Sequence, residues 1–146
     1  MMLERCKNEI EDLHQFFVAW FSGKMDATSD TFARLERALD ADFTIVTPAG
    51  KLMSRKDIIE SVRSGHGSRP DLQIWIENVA IRRTTTDSVV TTYEEWQKES
   101  GEPRGLVGSG QASHEPRGRL SSVVFSVVDD RLTWLHVHET WIATNS

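Results

Sequence analysis

The sequence predicts an α+β domain in which a cone-shaped, curved antiparallel sheet wraps around N-terminal helices. Three observations lead to this fold class. Apolar residues recur at three- and four-residue spacing in residues 3–21, 32–39 and 58–62, and the chain turns to β-strands from residue 72 onward. The chain then closes with two apolar runs joined by Asp129-Asp130, which indicates a long β-hairpin. A half-barrel of this kind leaves a central pocket between helices and sheet.

Three helices are predicted in the first half of the chain. The first has one apolar stripe and ends at Gly23, a residue that accepts positive φ. A second helix follows Thr28-Ser29-Asp30, and the capping box Ser54-Arg55-Lys56-Asp57 opens a third that ends near Gly65. The stripe of the first helix consists of Leu3, Cys6, Ile10, Leu13, Phe17 and either Trp20 or Phe21.

Strands are predicted between and after these helices. Residues 42–47 alternate like a strand, Pro48-Ala49-Gly50 is a turn, and residues 51–53 return as a short second strand. Residues 72–83 and 88–98 are the next two strands, and the closing hairpin covers residues 119–128 and 132–142. Residues 100–118 are rich in Gly, Ser and Pro and are predicted to be a long loop. With neither repeats nor a linker, residues 1–146 are expected to form a single domain.

Composition excludes several classes of function. The net charge of −5 offers no basic field for nucleic acid or an anionic membrane. One cysteine excludes an internal disulfide, and charged residues stand in the N-terminal segment where a signal peptide needs an apolar run. No apolar run is long enough to span a bilayer. We therefore expect a cytoplasmic protein that binds no nucleic acid, no membrane and no cofactor.

Two segments carry a resemblance to a known family. The run DFTIVTPAGKLMSRKDIIESV resembles the strand, turn and helix of the nuclear-transport-factor-2-like superfamily, whose fold is also called cystatin-like. The ending VVFSVVDDRLTWLHVHET is similar to the closing hairpin of its SnoaL-like and ketosteroid-isomerase-like branches. Trp134 and His138 also match a Trp and a His near the end of the association (hub) domain of calcium/calmodulin-dependent kinase II. The resemblance implies a deep pocket and a homodimer formed through the sheet.

The isomerase chemistry of that superfamily does not transfer residue by residue. The position of the general-base aspartate is Thr47, and a threonine hydroxyl is no base near neutral pH without a neighbour to take its proton. The first helix has no tyrosine to stabilise an oxyanion, since the chain's one tyrosine is Tyr93 on a predicted strand.

Matching the chain to the kinase hub domain without gaps gives the strand faces. It places Leu135, Val137, Glu139 and Trp141 toward the pocket, and Trp134, His136, His138 and Thr140 outward. It also turns Arg119, Ser121, Val123 and Phe125 inward, with Glu94 and Trp96 inward and Tyr93 and Glu95 outward on the preceding strand. A slip by one residue reverses all of these assignments.

Glu94 and Glu139 are the predicted acid/base pair. Two carboxylates in a dry pocket push their pKa values apart, so one can be protonated at neutral pH. The alternative is that Arg119 neutralises them and they are structural. Pocket-lining residues expected to contact a ligand are Trp96, Arg119, Ser121, Val123, Phe125, Val137, Trp141 and His14, although His14 is more often a structural residue at such a position.

His136 and His138 have a spacing that could supply two metal ligands, but no further ligand lies at suitable spacing nearby. No metal site is therefore predicted, and together with Trp134 they suit a subunit interface. The leading function is binding of a small apolar or aromatic molecule. The alternatives are a SnoaL-like isomerase, cyclase or dehydratase, or an assembly module like the kinase hub. The sequence leaves open whether the protein is an enzyme.

Overall fold

The computed structural model describes residues 1–99 and 116–143, and within these ranges it contains three helices and six strands. The predicted loop at 100–118 lies mostly outside the described residues. The helices are α1 (Met2–Ser22), α2 (Ser29–Ala38) and α3 (Arg55–Ser64). The strands are β1 (Leu39–Val46), β2 (Leu52–Ser54), β3 (Gln73–Thr84), β4 (Ser88–Lys98), β5 (Arg117–Val128) and β6 (Arg131–Trp141).

The strands form one sheet in the order β2-β1-β6-β5-β4-β3. The α+β class is confirmed, but the sheet is mixed rather than antiparallel, because β1 runs parallel to β6. That pairing brings the strand after α2 against the last strand of the chain. The parallel contact was invisible in the sequence because it joins segments about ninety residues apart, with no turn to specify their direction.

The helix boundaries follow from local chemistry. Gly23 ends α1 in the left-handed conformation, with φ 79°, as the sequence predicts. The Ser54 side chain accepts a hydrogen bond from the backbone of Asp57, whose carboxylate accepts one from the Ser54 backbone, so the predicted capping box is present. Trp20 joins α1 to α3 by donating its indole N–H to the Val62 carbonyl at 2.6 Å.

One face of the sheet packs against the helices to form the core. The buried apolar side chains come from α1, α2, α3 and every strand except β2, and include Ile10, Leu13, Trp20, Leu35, Phe43, Val62, Ile74, Val89, Tyr93, Val123, Phe125 and Val137. Each helix of the described residues is too short or too polar to cross a membrane.

A β-bulge in β6 changes which residues face the core. Val124 pairs with His136, whereas the next residue, Phe125, pairs with Trp134, so Leu135 is the extra residue. The bulge turns Trp134 inward, where it is only 2% exposed, and leaves Val137 and Glu139 inward as well. The prediction that Trp134 faces outward was therefore wrong, because strict alternation cannot anticipate an inserted residue.

Candidate functional site

A cavity of about 320 Å³ lies between the helices and the inner face of the sheet. Most of its wall is apolar, and side chains of all three helices and of β1, β2, β3 and β6 contribute to that part. The apolar residues are Leu13, Phe17, Phe21, Leu35, Leu39, Phe43, Ile45, Met53, Ile58, Val62, Ile74, Trp134 and Val137. A cavity of this size and lining suits a small molecule with an apolar body.

Four ionisable side chains interrupt the apolar wall at one place. His14 comes from α1, and Glu95, Arg119 and Glu139 come from the three neighbouring strands β4, β5 and β6. The sheet register explains their proximity, since Glu95 pairs with Arg119 and Ser121 pairs with Glu139. Residues far apart in the sequence thus form one polar cluster.

His14 and Glu95 form a buried ion pair. The Nδ1 atom of His14 lies 2.7 Å from the Ile10 carbonyl oxygen, and Nε2 lies 3.0 Å from a Glu95 carboxylate oxygen. Both partners are acceptors, so both ring nitrogens donate and the ring is an imidazolium. Burial alone would lower the pKa of His14, but the charge and hydrogen bond of Glu95 outweigh it and raise that pKa. Burial likewise acts to raise the pKa of Glu95, yet His14 brings it down to about 2.

Glu139 is the acid of the cluster that can exchange a proton near neutral pH. It is 6% exposed, with one oxygen 3.2 Å from Arg119 Nη1, and the Ser121 hydroxyl donates to its other oxygen at 3.5 Å. Burial first, and then the charge of Glu95, raise the pKa of Glu139 to about 7 against the opposing effect of Arg119. At neutral pH Glu139 is thus available both as a hydrogen-bond donor and as an acceptor.

A chain of hydrogen bonds connects Glu95 to Arg69, which lies in the segment between α3 and β3. Gln97 donates to the second oxygen of Glu95, and Arg69 Nη2 donates to Gln97 at 3.1 Å and to Glu99 at 2.6 Å. Both oxygens of Glu95 are therefore engaged, and its role is to fix His14. Burial raises the pKa of Tyr93, which borders the cavity beside His14, so that its phenol stays neutral.

The structure places some predicted residues around the cavity and others elsewhere. His14, Arg119, Val137 and Glu139 border it. Ser121, Val123 and Phe125 face the same side, but they are buried in the core and do not line the cavity. Trp141 is 40% exposed and stacks against two arginines, with the Arg117 guanidinium carbon 3.9 Å from its ring centre and that of Arg119 at 5.1 Å.

The predicted orientation of β4 was wrong. Glu94 and Trp96 lie on the outer face of the sheet, where the Glu94 carboxylate accepts hydrogen bonds from Asn78 at 2.9 Å and from Trp96 at 3.0 Å. Tyr93 and Glu95 face the cavity instead. Both faces of this strand mix aromatic and acidic residues, so its alternation did not distinguish them. One signal was available, because a histidine on the inner stripe of α1 needs an acceptor on the opposing sheet.

Three further residues, Thr47, His136 and His138, bear on the isomerase and metal chemistry that the sequence suggested. Thr47, at the place of the isomerase base, borders the cavity, and its hydroxyl accepts a hydrogen bond from the Lys51 backbone at 3.2 Å. His136 lies 2.8 Å from the Thr44 hydroxyl, and His138 is exposed. The described residues contain no group of three or more His, Cys, Asp or Glu arranged to hold a metal ion.

Comparison with protein families gives a match over nearly the whole chain. A family model for the C-terminal region of sucrose-6-phosphate phosphohydrolase matches residues 7–143. Sucrose-phosphatase 1 of Nicotiana tabacum is 27% identical over 136 residues, which cover 92% of this chain and 30% of the relative. Probable sucrose-phosphatase 2 of Arabidopsis thaliana is 23% identical over 137 residues, which cover 92% and 29%. The chain thus spans about 30% of the length of these curated relatives.

Solved structures confirm the nuclear-transport-factor-2-like fold. A protein of unknown function with this fold from Pseudomonas aeruginosa is 28% identical with a TM-score of 0.79, covering 94% of this chain and 98% of the other. The association domain of calcium/calmodulin-dependent kinase II from C. elegans has 18% identity and a TM-score of 0.64, covering 94% and 96%. A putative dehydratase from Streptomyces avermitilis has 15% identity and a TM-score of 0.61, covering 81% and 88%.

Proposed function

Because this chain belongs to the family of sucrose-6-phosphate phosphohydrolase C-terminal domains, we propose that it is a ligand-binding domain whose small-molecule ligand occupies the cavity between helices and sheet. The observation that carries the proposal is the contrast within the wall, which is mainly apolar but contains one cluster of buried ionisable side chains. An apolar pocket with a few convergent polar groups binds one face of a ligand by burial and orients it by hydrogen bonds.

The polar cluster indicates what the ligand's head group carries. His14 and Glu95 satisfy each other, so they contribute a fixed charge pair and no free hydrogen-bonding atom. Arg119 Nε is buried and, among the described residues, has no hydrogen-bond partner. A buried donor without a partner is costly, so a ligand oxygen that accepts from Arg119 would be stabilising. Glu139 beside it can accept from a ligand hydroxyl or donate to a carbonyl.

Proton transfer to the ligand is the second candidate function. It is favoured by one observation, the pKa of about 7 that burial gives Glu139. A carboxyl group with such a pKa is protonated and deprotonated in comparable amounts at neutral pH, as general acid–base catalysis requires. The sequence predicted Glu94 and Glu139 as the acid/base pair. Glu94 lies on the outer face, so Glu139 alone is proposed as the acid and base.

Sucrose and its phosphate are ligands suggested by the names of the relatives. The cavity favours the neutral sugar over its phosphate. Arg119 is paired with Glu139, and Arg69 is paired with Glu99, so among the described residues that line the cavity neither arginine is a spare cation for a phosphate. The largely apolar wall favours a ligand that is less polar than sucrose or its phosphate.

We also propose that the chain dimerises through the outer face of the sheet. Trp134, which the sequence predicted at this interface, is buried in the core and cannot contribute. Leu120 remains on that face at 48% exposure, and Val124 lies on the same side of β5. Sedimentation velocity should show a dimer that Leu120→Asp converts to a monomer, whereas a monomeric wild type would refute this proposal.

The cavity is tested with an environment-sensitive aromatic dye, 1-anilinonaphthalene-8-sulfonate, and with sucrose and sucrose 6-phosphate measured by calorimetry. Ile45→Trp fills the cavity from β1, and Glu139→Gln removes the titrating acid. We expect the wild type to bind the dye, Ile45→Trp to lose binding, and the Glu60→Gln control on the exposed face of α3 to keep it. Equal dye binding by wild type and Ile45→Trp, both with native circular dichroism, would rule out the cavity as the site.

A further inference from the structure

A second candidate site lies on the outer face of the sheet, away from the cavity. Trp75 and Trp96 are directly opposite each other on β3 and β4, and both are half-buried. They border a groove of about 460 Å³ together with Glu77 and Pro116. We propose that this groove binds an organic cation, a quaternary or protonated amine, between the indole rings and the neighbouring carboxylates.

The two indole rings are held in place by the acids beside them. Trp75 Nε1 donates to a Glu77 oxygen at 2.8 Å, and Trp96 Nε1 donates to a Glu94 oxygen at 3.0 Å. Asn78, whose backbone φ is 55°, donates to the other Glu94 oxygen at 2.9 Å. Because the polar edge of each ring is tied to a carboxylate, the apolar parts of the rings are left to border the groove.

Gly118 provides the surface on which one ring lies. It pairs with Trp96 across β4 and β5, and a Cβ atom at this position would come within 2.9 Å of two ring carbons of Trp96. The same Cβ would also lie 2.8 Å from the Ile142 side chain. A glycine at this point of a strand marks a close approach, and here it lets the indole ring rest against the backbone.

The two carboxylates of this face, Glu77 and Glu94, favour a positively charged ligand. Glu77 and Glu94 are directly opposite each other in the strand register, and like charges in that arrangement are destabilising. Among the described residues neither acid forms a salt bridge, and the groups that donate to them are neutral. The basic residues Arg82 and Lys98 lie on neighbouring parts of β3 and β4 but do not border the groove. An organic cation would relieve this repulsion.

The rings add an attraction that is specific to cations. The face of tryptophan is the best of the aromatic side chains for binding a positive charge, and quaternary ammonium ions are recognised in this way. The same sheet already contains the interaction, because the Arg117 guanidinium stacks 3.9 Å from the centre of the Trp141 ring. A neutral sugar would leave the two carboxylates repelling each other. The dimer contact proposed for Leu120 and Val124 is on β5, whereas the groove lies between β4 and the edge strand β3. The two charges of the groove do not suit the centre of such a contact, which is depleted of Glu.

The test compares choline with 3,3-dimethylbutan-1-ol, which has the same shape but carbon in place of the charged nitrogen. Binding is followed by tryptophan fluorescence and by one-dimensional NMR of the indole N–H signals, with sucrose as a third ligand. We expect choline to bind on the order of tenfold more tightly than the neutral alcohol, and its binding to weaken as salt is added. Glu77→Gln should reduce the affinity several-fold, whereas Glu60→Gln, which removes an exposed acid on α3, should not change it.

Several results would overturn the proposal. Equal binding of choline and the alcohol would show an apolar groove without charge recognition. Binding of sucrose without choline would show a sugar site, and no binding of choline would show that the groove is not a site for such ions. Glu77 is exposed, so Glu77→Gln should fold, and circular dichroism checks this. The outcome is independent of the cavity, because none of the residues that line the groove also lines the cavity.

Discussion

His14 and Glu95 form an ion pair across the contact between α1 and β4, with 3.0 Å between Nε2 and the carboxylate oxygen and both side chains 5% exposed. Neither residue has a free hydrogen-bonding atom, because Ile10 and Gln97 occupy the remaining ones. The pair therefore positions the helix over the sheet and adds a fixed charge distribution to the cavity wall. Glu139, with its raised pKa, is the neighbouring acid whose charge can change.

Glu95→Gln should strongly destabilise the protein. The substitution removes the counter-ion of a buried imidazolium, and breaking a buried pair by removing one partner typically costs about 3–5 kcal/mol. His14 then has to lose its proton or remain buried without a countercharge. Urea denaturation at pH 7 measures the free energy of unfolding directly, with circular dichroism as the probe.

Glu94→Gln is the matched control for that measurement. Glu94 is adjacent in the sequence but lies on the outer face, where it accepts hydrogen bonds from Asn78 and Trp96. Glutamine keeps an acceptor there, so the expected loss is at most about 1 kcal/mol. Equal losses for the two variants would contradict the assignment of Glu95 to the inner face.

Local sequence patterns predicted the elements well. The capping box at Ser54 and the positions of the helices and strands depend on neighbouring residues, and they appear as predicted. The stripe of α1 appears in part, since Leu3 is 46% exposed and Phe16 is buried although the prediction had Phe17. The parallel contact of β1 with β6 depends on residues distant in the sequence, and no local pattern records it. The fold class was therefore predictable, whereas the mixed character of the sheet was not.

The candidate site was only partly predictable because it depends on the phase of each strand. Glu139 and Arg119 were oriented correctly, since the match to the kinase hub domain gave the right phase for β5 and for this part of β6. On β4, acidic and aromatic residues occupy both faces, so Glu94 was assigned inward in place of Glu95. On β6, the bulge at Leu135 reversed the orientation of Trp134. The error on β6 arises from a backbone irregularity that the sequence does not express, whereas the need of His14 for an acceptor was a signal for the orientation of β4.

Glu139 should make the protein less stable as the pH rises through neutrality. Its pKa is raised from 4.5 to about 7 on folding, so between these values the folded state binds a proton that the unfolded state does not. Stability then falls with increasing pH across that window and levels off above it. A shift of this size corresponds to roughly 3 kcal/mol. Denaturation curves at pH 5, 6, 7 and 8 follow the effect.

The control for this prediction is Glu139→Gln, which cannot titrate. The free energy of unfolding of wild type minus that of the variant should decrease from pH 5 to pH 8, because the other ionisable groups contribute nearly equally to both. A difference that stays flat over this range would show that folding does not raise the pKa of Glu139.

Gly118→Ala should displace Trp96 and destabilise the sheet. The new methyl group would lie 2.9 Å from the indole ring and 2.8 Å from Ile142, so at least one of these side chains must move. Overpacking of this kind typically costs about 1–3 kcal/mol. Tryptophan fluorescence reports the movement of Trp96, and urea denaturation reports the cost. Ser122→Ala, at an exposed position on the same strand, should change neither measurement.

Replacing both members of the buried ion pair should cost less than removing one. In His14→Leu combined with Glu95→Met, apolar side chains fill the space and no charge remains buried, an exchange that is often close to neutral. Gln97 loses its acceptor but keeps its hydrogen bond with Arg69, which limits the added cost. We expect the double variant to be more stable than Glu95→Gln in urea denaturation at pH 7. A double variant less stable than the single one would mean that the pair contributes net stability and does more than position α1 on β4.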